Sequence, residues 1–234
     1  MKPLHQASGL TERVYSAILD EILDGRISAG EHLVQEQLAA SLGVSRQPIQ
    51  QAMALLKADG VVEEIGTRGL KVAALDLTRM HNHYDLRALQ DAYAANGAAR
   101  RIASGECSSN ETTQQFHDIL ERGNRAVAKG VTREQIAQDE AFHKLLYNLS
   151  GNPVLPKAAE PHWRFLRRAM ADVLRHAAAP AEIWQQHAAI AEAVLAGDAE
   201  TAERLAQEHV QVAATTLSTV LSGIHAEPRS ERTV

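Results

Sequence analysis

The sequence is poor in cysteine, in aromatic residues and in long apolar runs. Its 234 residues include a single cysteine, Cys107, and aromatic residues make up 4% of the chain. One cysteine excludes an internal disulfide and favours a reducing compartment. No run approaches the roughly 18 apolar residues of a membrane span, and residues 1–9 lack the apolar core of a signal peptide. We therefore expect a cytoplasmic globular protein without a membrane partner.

Positive charge is also scarce. The formal net charge is −5, and residues 1–75 contain seven basic and nine acidic residues, a net −2. This composition excludes attraction of nucleic acid by a uniformly positive surface, so any phosphate contact must come from a local cluster. Hydrophobic residues make up 45% of the chain, and the abundance of Ala and Leu favours helices.

The first third of the chain alternates helical segments with glycine turns. Apolar residues recur at helical spacing in three segments, 10–24, 34–42 and 45–59. Two short strands, 61–65 and 70–74, then surround the turn residues 66–69. This order is typical of a winged helix-turn-helix. We predict a domain over residues 10–75, preceded by a flexible segment, 1–9.

The third helical segment predicts a polar face that fits the major groove of DNA. Arginine can bind guanine O6/N7, and glutamine can bind adenine N6/N7. An ordinary solvated face on a helical hairpin used for protein contacts is an equal alternative from spacing alone. The candidate DNA-binding residues on the helix and the hairpin are Ser45, Arg46, Gln47, Gln50, Thr67, Arg68 and Gly69.

The same region resembles the GntR family of bacterial repressors. The resemblance lies in Gly30-Glu31-His32-Leu33, in residues 42–49 (LGVSRQPI) and in Arg68-Gly69. It implies that Arg46 contacts bases and that the wing around Gly69 contacts the minor groove. Family members usually carry Arg-Glu where this chain has Gln50-Gln51. We therefore expect no guanine readout at position 50 and a preference there for A·T pairs.

From residue 76 onward the strand signal disappears. Helical segments are predicted at 78–103, 109–129, 132–149, 153–178, 181–196 and 198–222. The change places a domain boundary near residues 75–77, with an all-helical domain over 76–222 and a disordered polar tail, 223–234. The predicted fold class is mainly α.

Four ionisable residues interrupt the apolar stripes of three of these helices. Asp139 and His143 lie one turn apart within the stripe of 132–149, and His187 lies in the stripe of 181–196. His209 lies in the last helix, whose predicted stripe is Ala202, Leu205, Val212, Thr216 and Val220. A buried charge is unfavourable unless it is paired or bound to a metal. The four residues therefore predict one shared divalent-metal site.

A core role is the alternative for any one of these histidines. A lone histidine on an apolar face is more often a core residue with one hydrogen bond, and the remaining histidines are interpreted in that way. The Asp-x-x-x-His pair favours a metal, because ligands at i and i+4 project toward the same point.

The second region resembles the FCD domain, the helical sensor of the FadR-type branch of the GntR family. The matching stretches are Asp139-x-x-Phe142-His143, followed by residues 150–153 (SGNP), and His187-x-x-Ile190, leading to Gly197-Asp198 and His209. The resemblance implies an antiparallel bundle, a homodimer, and an Asp-His-His-His metal site beneath a carboxylate-binding cavity. Imidazole and carboxylate ligands suit Zn, Ni or Mn.

Arg87 has two interpretations of equal weight from its position. It can clamp an effector carboxylate, or it can form an i, i+4 ion pair with Asp91. The family position is usually Arg, which favours the effector.

The combined prediction is a ligand-responsive, sequence-specific transcriptional repressor that binds a palindromic operator as a homodimer and senses a small organic acid. The alternatives are a metal-dependent hydrolase or oxygenase that uses the four site residues, and a structural metal in a dimerisation module. An enzyme has no use for Arg46 and a wing, so we predict that the protein is not an enzyme.

Overall fold

The computed structural model describes residues 8–66, 69–174 and 181–226, and these form nine helices and one β-hairpin. The chain divides into two compact units, residues 1–75 and 76–234. The prediction of a mainly helical chain, with a helix-turn-helix and hairpin before a helical domain, is confirmed. No helix among the described residues is long and apolar enough to span a membrane.

The first unit consists of three helices and the hairpin. They are α1 (Ser8–Leu23), α2 (Gln35–Leu42), α3 (Arg46–Ala58), β1 (Val62–Ile65) and β2 (Gly69–Val72). The strands pair antiparallel, from Val62 opposite Val72 to Ile65 opposite Gly69. Both strands are shorter than predicted, and β2 begins one residue earlier, at Gly69.

Packing of α1 against α3 fixes which face of α3 is buried. The buried faces of the two helices meet through aliphatic side chains, among them Ile18, Ile22, Ile49, Met53 and Leu56. Gly43 ends α2 in the left-handed region at φ 63, where a side chain would be strained. The tight turn between α2 and α3 leaves one face of α3 exposed.

The second unit is a bundle of six helices. They are α4 (Leu77–Ala103), α5 (Ser109–Lys129), α6 (Thr132–Leu149), α7 (Leu155–Leu174), α8 (Ala181–Leu195) and α9 (Ala199–Ala226). Helices α4 and α9 run antiparallel, because Asn96 bonds to Glu203 while His81 bonds to Ser218. The core of α4 is made of alanines, which let neighbouring helices approach closely: Ala94, Ala95, Ala98 and Ala99.

Several helix ends differ from the sequence-based prediction. Helix α7 begins at Leu155 and ends at Leu174, inside the predicted 153–178, and residues 175–180 lie outside the described part of the chain. Helix α1 begins at Ser8, within the segment predicted to be flexible, and α9 continues to Ala226, into the predicted tail. The rest of those terminal predictions, 1–7 and 227–234, falls outside the described residues.

Candidate functional site

The four predicted metal ligands lie together in the core of the bundle. Each of Asp139, His143, His187 and His209 offers a ligand atom, and these atoms all lie within 4.8 Å of one another. Helix α6 supplies the first two residues, and α8 and α9 supply one histidine each. All four side chains are buried. Among the described residues, this is the one group of three or more such side chains with ligand spacing.

The distances within the cluster suit a small cation. The Nε2 atoms of His187 and His209 are 3.1 Å apart, and Nε2 of His187 is 3.5 Å from Oδ1 of Asp139. Nε2 of His143 is 3.9 Å from the same oxygen. Nitrogen and oxygen ligands about 2.0–2.2 Å from a metal are themselves separated by about 3–3.5 Å. The side chains therefore need small adjustments to coordinate one ion.

Unsatisfied nitrogen atoms provide a further test of whether the site fits a metal. Both ring nitrogens of His143 are buried without a hydrogen-bond partner within the described part of the structure. Such atoms are rare in folded proteins and call for an explanation. A cation at the cluster would supply the partner that Nε2 lacks. The residues present therefore fit a divalent metal.

Two further side chains, Gln186 on α8 and Asp91 on α4, contact the Nδ1 atoms of two of the candidate histidine ligands. Nδ1 of His209 lies 2.8 Å from Oε1 of Gln186, a contact that directs its Nε2 toward the cluster. Oδ2 of Asp91 lies 2.9 Å from Nδ1 of His143, although this contact lacks hydrogen-bond direction. Asp91 also accepts a short hydrogen bond from the Tyr147 hydroxyl. Sequence reasoning missed Gln186, and it named Asp91 only as a partner of Arg87.

Burial controls the protonation of the cluster. It lowers the pKa of His143, His187 and His209 well below the usual 6.5, so all three imidazoles are neutral at pH 7. Burial raises the pKa of Asp139 to about 6, against the lowering effect of the Arg87 guanidinium. Neutral imidazole is the form that binds metal.

Arg87 borders the same cluster. Its Nε lies 3.3 Å from Oδ2 of Asp91, and its Nη2 lies 3.5 Å from Oδ2 of Asp139. The guanidinium also lies 4.2 Å from the centre of the Trp163 ring. The ion pair with Asp91 is present, and Arg87 is also adjacent to a predicted metal ligand. The two interpretations of this residue are therefore compatible.

The predicted stripe of α9 was wrong in part: Ala202 and His209 are buried as predicted, but four other members are not. Val212 is exposed, and Leu205, Thr216 and Val220 are partly exposed. The buried stripe follows His209 through Ala206, Val210, Ala213, Leu217 and Leu221. Apolar residues stand side by side in this helix, as at Leu205-Ala206 and Val220-Leu221, so their spacing alone did not decide which face packs inward.

The predicted DNA-reading residues of α3 lie on its exposed face. Ser45, Arg46, Gln47 and Gln50 are all exposed. Ser45 occupies the N-cap position but makes no side-chain cap bond. Gly69 opens β2, while Thr67 and Arg68 fall outside the described residues.

Neighbouring side chains restrict part of this face. Nη2 of Arg46 lies 2.7 Å from Oε1 of Glu36, on the first turn of α2. The Thr11 hydroxyl donates a 2.6 Å hydrogen bond to the Gln51 amide oxygen. Sequence reasoning missed Glu36, because its partner lies ten residues away on another helix.

Comparison with known proteins identifies both units. Residues 10–72 match the bacterial regulatory proteins of the gntR family, and residues 82–212 match the FCD domain. An HTH-type transcriptional regulator from an unstable DNA locus of Streptomyces ambofaciens is 29% identical over 215 residues, covering 88% of this chain and 85% of that protein. The HTH-type transcriptional repressor RspR of Escherichia coli K12 is 22% identical, covering 89% of each chain.

Solved structures share the fold. E. coli McbR/YncC superimposes with a TM-score of 0.74 at 20% identity, covering 90% of this chain and 98% of the other. A GntR transcriptional regulator from Rhodococcus sp. RHA1 gives a TM-score of 0.72 at 20% identity, covering 93% and 99%.

The family decides between the functions considered from the sequence. Its members are transcriptional regulators, so a hydrolase or oxygenase is not favoured, and the prediction that the protein is not an enzyme is confirmed. With a family model on each unit, the chain belongs to the GntR family of bacterial transcriptional regulators and carries a C-terminal FCD domain.

Proposed function

We propose that this regulator represses transcription from a palindromic operator and responds to a small organic acid that binds at a divalent metal. The observation that carries the proposal is the buried convergence of four ligand atoms within 4.8 Å. Asp139, His143, His187 and His209 would hold the ion, which we expect to be Zn, Ni or Mn. When bound, the metal offers open coordination positions to ligand oxygens.

Charge favours an anionic effector. Three neutral imidazoles and one aspartate leave a divalent ion with a net charge of about +1. The Arg87 guanidinium lies beside the cluster and adds a bidentate donor. We propose that Arg87 contacts the effector carboxylate and that its ion pair with Asp91 orients it.

A second copy of the chain is the proposed partner of α4. Leu86, Leu89 and Tyr93 lie at i, i+3 and i+7 and are 49%, 64% and 53% exposed. Large apolar side chains on one helix face favour association. A two-fold dimer presents two identical copies of the first unit, residues 1–75, which we call the reading head. This symmetry is why we propose a palindromic operator.

DNA binding is assigned to α3 and the wing. We propose that Ser45, Arg46, Gln47 and Gln50 enter the major groove and that Thr67, Arg68 and Gly69 contact the minor groove or phosphates. Arg46→Ala should weaken operator binding by about 1–3 kcal/mol if Arg46 reads a base. Operator affinity equal to that of the unchanged protein would contradict this role.

Helix α4 offers a route from sensor to reading head. It carries Arg87 and begins at Leu77, a few residues after β2 ends at Val72. An effector that shifts α4 would pull on the chain that leads to the wing. The effector must bind one arrangement more tightly than the other, because equal affinity shifts nothing. Coupling of about 1–3 kcal/mol would change operator affinity roughly 5- to 150-fold.

The metal is tested by elemental analysis and thermal unfolding. Protein purified without chelator should hold one divalent ion per chain, and chelator should lower its melting temperature. His187→Ala should remove both the ion and the effect of chelator. The matched control is His162→Ala, since His162 is half-buried outside the cluster. Absence of metal before and after soaking would contradict the site.

The effector is tested by titrating small organic acids with and without operator DNA. Coupling between two binding sites is reciprocal. If the acid changes the affinity for operator DNA by some factor, operator DNA must change the affinity for the acid by the same factor. If every acid that binds leaves operator affinity unchanged, the metal is structural. If Arg87→Ala binds acid normally, the clamp is wrong but the sensor stands.

A further inference from the structure

Arg46, the arginine of α3 that we propose to contact a base, forms an ion pair within the protein. Nη2 of Arg46 lies 2.7 Å from Oε1 of Glu36, and both side chains are 68% exposed. Arg46 is the first residue of α3, and Glu36 lies in the first turn of α2. Gly43 ends α2, and α3 begins three residues later at Arg46. Because the pair is exposed, both groups are available to DNA.

A carboxylate at this place is unexpected in a DNA-reading surface. Duplex DNA is lined with phosphates, which a carboxylate repels. If Arg46 reaches a base edge, Glu36 approaches the same edge or its neighbour, because the two side chains are in contact. The carboxylate must then either accept a hydrogen bond from a base amino group or disfavour the complex.

The edge of a G·C pair offers what the ion pair requires. In the major groove, guanine presents two acceptors, N7 and O6, and cytosine presents the N4 amino donor beside them. Arginine supplies the donors for the first two groups, and a carboxylate accepts from the third. In an A·T pair, adenine presents the N7 acceptor and the N6 amino donor, and thymine presents the O4 acceptor and a methyl group. The adenine amino group would therefore face the donors of the arginine, and thymine would offer the carboxylate no donor.

Other cations of the reading head are paired in a similar way. Lys57 contacts Glu64, and Lys71 contacts Glu63. With a net charge of −2 over residues 1–75, non-specific attraction to DNA is weak. Under these conditions, selectivity depends on a few well-matched base contacts.

We propose that Glu36 is a specificity-determining residue, which reads a G·C base pair together with Arg46 as one donor–donor–acceptor unit. This inference rests on the proposed role of Arg46 in base contact. It applies to the base pair that Arg46 meets, and it is separate from the A·T preference expected at Gln50.

The test is selection of bound sequences from a randomised duplex library by the full-length protein, followed by affinity measurements on the selected duplex and its point variants. The variants are Glu36→Gln, Glu36→Ala and Arg46→Ala. Glu21→Gln is the matched control, because Glu21 forms an exposed ion pair with Arg26 in the same unit and its replacement changes the net charge equally.

The unchanged protein should prefer G·C over A·T at one position per half-site by about 5- to 150-fold. Both Glu36 variants should reduce that preference several-fold, since Arg46 alone still binds guanine, and Glu36→Gln should accept A·T more readily than Glu36→Ala, because its amide can donate to thymine O4. Glu21→Gln should keep the preference. The second Glu36 variant ensures that a folding defect in one of them does not decide the result.

Two outcomes separate this inference from the proposed function. If Arg46→Ala loses a G·C preference that both Glu36 variants keep, Arg46 reads DNA alone and the inference is overturned. A uniform gain in affinity for all duplexes in the Glu36 variants, with unchanged preference, also overturns it, since Glu36 would then only repel phosphate. If Arg46→Ala selects the same sequences as the unchanged protein, both the role of Arg46 and this inference fail.

Discussion

Both units of this protein carry exposed ion pairs, and the bundle in addition contains a buried one. In the reading head, the pairs Arg26–Glu21 and Arg46–Glu36 are exposed to water. In the bundle, Arg87 and Asp91 are buried against each other. An exposed pair contributes little to stability and can exchange its partner for a ligand. A buried pair cannot lose one member without leaving an uncompensated charge.

This difference separates recognition from sensing. The reading head presents exposed polar groups that can exchange their contacts within the protein for contacts with DNA. The bundle instead holds its polar groups in one arrangement among apolar side chains, as at Asp139 and the three histidines. Sites of the second kind need supporting contacts, such as the one between Gln186 and His209. Four predictions test the contrast, from the largest effect to the smallest.

Removing Asp91 should have the largest effect on stability. Asp91→Ala leaves Arg87 with one carboxylate partner fewer and deprives the Tyr147 hydroxyl of its acceptor. We expect a loss of about 3–5 kcal/mol in the free energy of unfolding, measured by urea denaturation. A loss below about 1 kcal/mol, the range of exposed pairs, would remove the contrast between the units.

Gly123→Ala should also destabilise the bundle. A Cβ at this position would clash with the ring of Trp184, which makes a T-shaped contact with His187. We expect a loss of about 1–3 kcal/mol from overpacking and weaker metal binding. The matched control is Gly9→Ala in α1, where a Cβ has open space. It should stabilise by up to about 1 kcal/mol through helix propensity, and equal effects of the two changes would contradict the prediction.

Acid should weaken the metal-free bundle through its buried histidines. The pKa of His187 is lowered in the folded state, so below pH 6.5 the unfolded chain binds a proton that the folded chain does not. The stability present above pH 6.5 is therefore lost as pH falls, by about 1.4 kcal/mol per pH unit for each such proton. Asp139 acts in the opposite sense below about 6, because its folded pKa is raised and it binds its proton earlier.

Comparison of a His187 variant with the unchanged protein isolates the contribution of this histidine to the pH dependence of stability. In chelator-treated protein, urea denaturation of His187→Asn should show a pH slope that is smaller by about one proton than in the unchanged protein. An identical slope would show that His187 takes up a proton in the folded state.

The smallest effect is expected at the surface of the head. Glu21→Gln breaks the exposed pair with Arg26 and should leave the urea midpoint unchanged within error, because solvent screens the pair. A clear loss of stability would mean that exposed pairs of this unit also support its fold.

Local sequence patterns were sufficient to predict the order of the helices and strands and to single out the candidate metal ligands. Asp139 and His143 were found because one helical turn separates them, and His187 because apolar residues surround it in sequence. Helix α6 has the bounds predicted, 132–149. Thr132 and Gln135 have the spacing of a capping box, yet Thr132 lies inside the helix and the N-cap is Val131, without a side-chain bond. Caps depend on backbone angles that a four-residue motif does not determine.

The sequence by itself determined the order of elements, the fold class and the identity of the four candidate ligands, because each depends on spacing within one helix or on a matched motif. Tertiary structure decided the partners that lie on other helices: Glu36 for Arg46, Gln186 for His209 and Asp91 for His143. It also decided which face of α9 packs inward, where Val212 proved exposed. The physical reason is that helical periodicity constrains residues three or four positions apart, whereas contacts between helices depend on how closely small residues such as Ala94 let them pack.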